Sequence, residues 1–400
     1  MASPAETVAA IPSRETLVER ARALIPVLKS RSDAATAARC LPAETIRDIQ
    51  EAGFMRVLQP RRFGGYEHDP QVFYDVQMAL AEGCMSTAWV YGVIGVHPFQ
   101  LGLFDPKAQQ DVWGKSDATL VSSSYQPVGK VERVAGGFRL SGRWGFSSGC
   151  DHCEWTFLGA LIPPLEAGGP PEMRTFLLPR SDYKIVHDWN VFGLQATGSH
   201  GIIVEQAFVP EYRTHRAVDG FMCTNPGQAL NTSALFRLPW AQVFVRAVSS
   251  AAIGALQGAL NAYVSIAAKR VSTNTGKSTK LDPFALNAAA RTQSAILEMK
   301  TVLMSSFGEM MGRVRAGKEI PIPDRIRYRF ESSQVVRRCA DLCDELMPLL
   351  GGRAIYNDSP VVRYWLDINA ARAHVANDPA IIGTSLGALY VGENVQEFFV

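Results

Sequence analysis

The chain carries almost no net charge. Its 40 lysines and arginines stand against 38 aspartates and glutamates in 400 residues, and this balance argues against a nucleic-acid or anionic-membrane partner, each of which selects a basic face. Paired cysteines are missing too. The seven that occur (40, 84, 150, 153, 223, 339 and 343) are odd in number and scattered, without the spacing of a disulfide framework. The start, MASPAETVAAIPSRETL, has no basic region followed by an apolar run, so the expected compartment is a reducing cytoplasm. The stretch Trp89 to Phe104 is strongly apolar but is broken by His97, Pro98 and Gln100, and no segment is expected to span a membrane. No Gly-x-Gly-x-x-Gly follows a strand-like run, which excludes a nicotinamide site of the Rossmann type.

Three short strings imitate sites and fall short of them. Gly276-Lys277-Ser278-Thr279 resembles the end of a phosphate-binding loop, but the position five before Gly276 is Val271 and no apolar strand leads in. Cys150-Asp151-His152-Cys153 has metal-like spacing without a second pair, so no metal is expected. Asn231-Thr232-Ser233 is a glycosylation triplet without a secretory route. Arg325, Arg327, Arg329, Arg337 and Arg338, interleaved with Glu331 and Asp341, are expected to form a solvated or subunit-facing helix.

The period of the apolar residues divides the chain in three. Helical spacing runs from Ser13 to about Leu58, over Pro70 to Glu82 and over Ser86 to His97, with a short helix opening at Asp105-Pro106. Between Thr119 and Val209 seven short runs alternate with period 2 between Gly, Pro or Asp breaks. Long Ala- and Leu-rich helical patterns then return over Val243 to Lys269, Pro283 to Ala316, Pro323 to Leu350 and Pro360 to His374, as in an antiparallel bundle. The expected fold is α+β and mostly helical: a helical domain (1–116), a β-barrel-like domain (117–220) and a four-helix bundle (221–400).

Within the β-rich part lies Leu140 to Trp155, LSGRWGFSSGCDHCEW. Gly142 and Gly145 allow close backbone approach or bulges, Trp144 and Phe146 alternate to one face, and Ser147, Ser148 and Gly149 follow as small polar groups. That pattern suits a wall against a flat polar ligand.

The order of domains together with LSGRWGFSSG resembles the acyl-CoA dehydrogenase fold. More narrowly, LQPRRFGGYEHDP, GCMSTAWV, IGVHPFQLGLF, SSSYQPVGKV, FSSGCDH, PRSDY and RAHVANDP are similar to the oxygenase component of two-component flavin-dependent monooxygenases that hydroxylate phenols. The resemblance implies reduced FMN, or FAD, delivered by a separate NAD(P)H-dependent reductase. It also implies O2 as co-substrate, a C4a-hydroperoxyflavin, hydroxylation ortho to a phenol hydroxyl, and a homotetramer. Residue by residue, it implies Ser148 beside flavin N5, Phe146, Thr197 and Ser199 packing on the flavin, and Arg270 at the phosphate of a neighbouring subunit's flavin. His97 and Ser123 would hold the phenolic oxygen, and His374, placed on the last bundle helix, would lie beside the oxygen adduct. Phe146 stands where many relatives carry Trp, and Ile368-Asn369 where they often carry Ala-His. An N-hydroxylase using the same chemistry and an acyl-CoA dehydrogenase are the alternatives. The latter needs a carboxylate base, and no Tyr-Glu-Gly-Thr-like string occurs in the bundle.

Overall fold

Ser13 caps the first helix, its Oγ accepting from the Thr16 N–H at 3.2 Å. That helix, α1 (Arg14–Ala38), is followed by α2 (Ala43–Glu51), α3 (Pro70–Gly83), α4 (Met85–Leu103) and α5 (Pro106–Trp113). The computed structural model describes residues 10–164 and 169–400. α4 is buried along nearly its whole length, as its continuous apolar sequence requires, but it does not stop at His97. The helix absorbs Pro98 and runs on to Leu103, which leaves His97 in its interior.

Seven strands follow: β1 (Val121–Val134), β2 (Gly137–Ser147), β3 (Trp155–Ile162), β4 (Glu172–Pro179), β5 (Lys184–Val186), β6 (His200–Pro210) and β7 (Thr214–Arg216). They form one sheet in the order β5-β6-β2-β1-β3-β4-β7. Two of the expected runs are one strand, β1, which changes partner along its length. Its first half lies parallel to β3, its second half antiparallel to β2, with an irregularity between Ser124 and Gly129. Gly129 permits the bend, since a Cβ there would lie 2.6 Å from the Trp144 ring and 2.8 Å from the Ala160 methyl. Side chains from both halves, among them Phe138, Trp144, Leu158, Phe176 and Ile202, share one core, which gives the sheet its barrel-like interior.

The C-terminal part holds α6 (Ala217–Met222), α7 (Trp240–Ala247), α8 (Ser250–Ala267), α9 (Pro283–Arg315), α10 (Ile322–Ser333), α11 (Val335–Leu349), α12 (Pro360–Ala371) and α13 (Ala380–Tyr390). Two expected helices are each broken in two, at Val248-Ser249 and at Gln334, and α13 is an addition. The break before α8 frees the Val248 carbonyl, which accepts from the Asn377 side chain at 3.0 Å. Trp240–Ala267 is long and apolar enough to cross a membrane, yet 94% of its most apolar stretch is buried inside the protein. One hydrophobic core joins α1 to α4 with the bundle helices.

The basic helix departs from its expected exposure. Arg325 and Arg329 are buried, and each guanidinium satisfies backbone carbonyls: Arg325 those of Ile320 and Phe221, Arg329 that of Ala376. Alternation with Glu331 and Asp341 could not reveal this, because an arginine inside a helix pair is paid for by partners distant in sequence.

Candidate active site

β2 ends in a distortion that defines the site. Its register with β6 shifts between Trp144 and Ser147, and Phe146 takes φ 62°, the left-handed region that bulky residues avoid. The two aromatics therefore do not share a face as their spacing suggests. Trp144 is fully buried, donating its indole N–H to the Gly159 carbonyl at 2.9 Å. Phe146 is 64% exposed and meets Trp189 edge-on, with 5.9 Å between ring centroids.

Directly after the bulge, Ser148 enters a chain of hydroxyls. Ser148 Oγ lies 2.7 Å from Ser199 Oγ, which lies 2.7 Å from Thr197 Oγ1. Thr197 donates to the Leu194 carbonyl at 2.8 Å, so Ser199 must donate to Thr197, and Ser148 to Ser199. The Trp89 indole N–H donates to Ser148 Oγ at 3.3 Å. The Ser148 oxygen is left with one lone pair and no proton to give. The loop that carries Thr197 is pinned by Asp367 of α12, which accepts from the Leu194 N–H at 2.6 Å, with Leu194 itself at φ 54°. Burial raises the Asp367 carboxyl to about 6.

From Ser148 a belt of rings leads to the other expected residues. Trp89 is 5.8 Å from the His374 ring, His374 is 6.4 Å from Phe244, Phe244 is 5.1 Å from Tyr125, and Tyr125 is 6.2 Å from His97. Ser123 pairs across the sheet with Phe157, whose ring is 5.4 Å from that of His97. Ser123 thus shares a strand face with Tyr125, two residues on. The Tyr125 hydroxyl donates to Gln100 Oε1. Ser122, by contrast, is turned to the other face, toward Thr156 Oγ1 at 3.1 Å.

The two histidines are held in opposite tautomers. His97 Nδ1 faces the Val121 carbonyl at 2.5 Å and must carry the proton, so the buried Nε2, without a partner among the described residues, presents a lone pair. Burial pushes its pKa down to about 4, so the ring is neutral at pH 7. His374 follows α12 instead of lying on it, and caps the next turn: its Nδ1 accepts from the Ala376 N–H at 3.1 Å. Its Nε2 therefore carries the proton when the ring is neutral. Burial, with the nearby Arg329 charge, holds its pKa below the ordinary value.

A sequence model described as the C-terminal domain of acyl-CoA dehydrogenases matches residues 247–379. HsaA of Rhodococcus jostii strain RHA1, a flavin-dependent monooxygenase oxygenase subunit, is 38% identical over 363 residues, covering 90% of this chain and 94% of its own. The chain belongs to the flavin-dependent monooxygenase oxygenase-subunit family. A further member, the oxygenase component of the FADH2-dependent resorcinol hydroxylase of a Rhizobium strain, is 30% identical and covers 94% of both chains. The crystal structure of the 3-HSA hydroxylase from Rhodococcus sp. RHA1 superposes with a TM-score of 0.91 at 35% identity, over 96% of this chain and 99% of that one.

The hydroxyl cluster fits the flavin that this family requires through its one free acceptor, the Ser148 lone pair. A flat ring with polar atoms along one edge would rest against small polar groups and aromatic surface; Ser148 and Phe146, two residues apart at the end of β2, are the residues that would meet it. Arg270, three residues beyond α8, donates to Thr279 Oγ1 at 2.8 Å and lies against Gly351. Ring contacts through Trp89, Phe244 and Tyr125 run from Ser148 past His374 to His97, and Asp367 holds the loop that carries Thr197. Aromatics at helical or strand spacing look like ordinary core, so the sequence offered no separate signal for them.

Proposed function

We propose that the chain is the oxygenase component of a two-component system, and that it uses reduced flavin from a separate NAD(P)H-dependent reductase to hydroxylate a phenol ortho to its hydroxyl. The opposite tautomers of His97 and His374 carry this reading. Bound reduced flavin would activate O2 and supply the oxygen atom that enters the ring.

The protein's own groups divide the remaining work. Ser148, with its proton committed to Ser199, accepts a hydrogen bond, and reduced flavin bears a proton on N5 where oxidised flavin does not. His97 Nε2 accepts the phenol O–H beside Ser123, raising electron density at the ortho carbon. A phenol near pKa 10 is poorly nucleophilic at pH 7 without such an acceptor. His374 Nε2–H would face the oxygen held on the flavin side as a hydrogen-bond donor, and the ring belt of Trp89, Phe244 and Tyr125 would keep water from the reacting atoms. Asp367 already accepts from Leu194 and Ser86, which argues against its serving as the α-proton base of a dehydrogenase.

The resemblance favours FMN, the name of the Rhizobium relative favours FAD, and comparing the affinities of the two reduced flavins decides between them. A homotetramer accords with exposed apolar side chains on the long α9, Phe284 at 76% and Leu297 at 58%, and on α13, Ile381 at 72%. In it Arg270 would meet a neighbour's flavin phosphate, and light scattering showing a fully active monomer would exclude it. The cytoplasm, where NAD(P)H is made, is the compartment this chemistry needs.

The test mixes the protein anaerobically with reduced FMN or FAD, then adds 18O2 buffer and a panel of phenols. One 18O atom per product is expected. Reoxidation that yields only hydrogen peroxide with every phenol would overturn the proposal.

A further inference from the structure

Outside the hydroxyl cluster, three separate elements bring metal-ligating side chains together. Asp151 lies in the turn after β2, His187 follows β5, and His200 opens β6. His187 Nε2 is 3.0 Å from Asp151 Oδ1, His200 Nε2 is 3.4 Å from Asp151 Oδ2, and one ligand atom from each of the three lies within 4.8 Å of the others. We propose that Asp151, His187 and His200 form a binding site for a divalent transition-metal ion of the zinc type.

Ligands about 2.0–2.1 Å from a tetrahedral ion sit roughly 3.3 Å from one another. His187 and His200 approach different oxygens of Asp151, at 3.0 and 3.4 Å. The carboxylate would turn to offer one oxygen, or bind through both, when an ion draws the three ligand atoms in from their present spread of up to 4.8 Å. Two imidazoles and one carboxylate select zinc, cobalt or nickel over magnesium and calcium, which prefer oxygen alone. The His200 side chain is 5% exposed and that of His187 65% exposed, so an ion can enter from the His187 side and meet an enclosed ligand behind it. Water would complete the coordination, since Cys40 Sγ approaches Asp151 Oδ2 at 3.7 Å but is not grouped with both histidines. The Asp188 carboxylate, next to His187, accepts from the Gly201 N–H at 2.9 Å, so the same two segments are already laced together. An ion here would tie β5, β6 and the turn after Ser148 into one unit. The ligands are spread over 50 residues, so no motif announces them.

The experiment titrates tag-free, chelator-treated full-length protein with zinc chloride by isothermal calorimetry, in the absence of flavin. One ion per chain is expected, together with a rise in melting temperature. His187→Ala and Asp151→Asn should each weaken binding by roughly tenfold or more, and His187, being exposed, can be replaced without unfolding the chain. Cobalt(II) should give the intense visible bands of a tetrahedral site in the parent and lose them in His187→Ala. Absence of saturable binding, or zinc affinity unchanged in His187→Ala, would overturn the site and identify the cluster as a metal-free latch.

Discussion

His97 and His374 have the same side chain, and both are held below the ordinary imidazole pKa, yet the backbone around them makes one an acceptor and the other a donor. His97 is fully enclosed in the interior of α4, and a carbonyl fixes its proton on Nδ1. His374 is partly exposed in a turn after α12, and an N–H fixes its proton on Nε2. Side-chain identity therefore sets neither role. What decides is which backbone group meets Nδ1, and that is a property of the fold.

The sharpest way to break this comparison is to remove the acceptor. His97→Ala should lower hydroxylation by about 10³-fold, while reduced flavin still consumes O2 and releases hydrogen peroxide. Raising the pH should restore part of the rate, because hydroxide then supplies the phenolate. A merely structural histidine would show equal loss in flavin oxidation and hydroxylation, and no rescue by pH.

Removing the donor should cost less. His374→Ala should reduce hydroxylation by about 10²-fold, because water can reach a turn whose next residue, Val375, is 80% exposed, and can donate in place of the imidazole. High pH should not rescue this variant. Equal pH rescue in both variants would refute the division of labour.

Ser148→Ala tests the end of the belt that serves neither histidine. One lost hydrogen bond, worth roughly 0.5–1.5 kcal/mol, changes a rate by about tenfold. The expected result is a larger hydrogen-peroxide yield with reduced-flavin binding retained. A peroxide yield equal to the parent's would exclude Ser148 from the site.

Regular elements were legible and irregular ones were not. α3 and α9 begin at Pro70 and Pro283 and end within one residue of their sequence-based bounds, because each has proline in the first turn and a sustained apolar stripe. The reversal of Phe146 was hidden, since alternation presumes a pleat without bulges and a positive φ at Phe leaves no mark in the sequence. Pro98 read as a helix end, but packing on all sides of α4 outweighs one missing N–H. Of the site, the resemblance supplied His97, Ser123, Ser148 and His374 as separate positions. The rings that connect them, and the tautomers that distinguish them, depend on backbone groups distant in sequence.

The smallest effect separates the two histidines by cause. Burial alone depresses His97, opposed by its Val121 hydrogen bond, whereas His374 is depressed by burial and then by the Arg329 charge. Arg329→Gln should therefore raise the His374 pKa and leave that of His97 unchanged, with the Gln amide still able to donate to the Ala376 carbonyl. The consequence for stability has a definite sign. A histidine depressed in the folded state stays neutral while the unfolded chain takes up a proton below its ordinary pKa near 6.5, so stability is full above that pH and is lost as the pH falls. In Arg329→Gln the folded protein binds the proton at higher pH, so the unfolding midpoint should fall less steeply between pH 6.5 and 5 than in the parent. Side-chain nitrogen NMR of both histidines across this range, with denaturation at each pH, makes the measurement. Equal movement of the two resonances would show that Arg329 acts by reshaping the core and not by its charge.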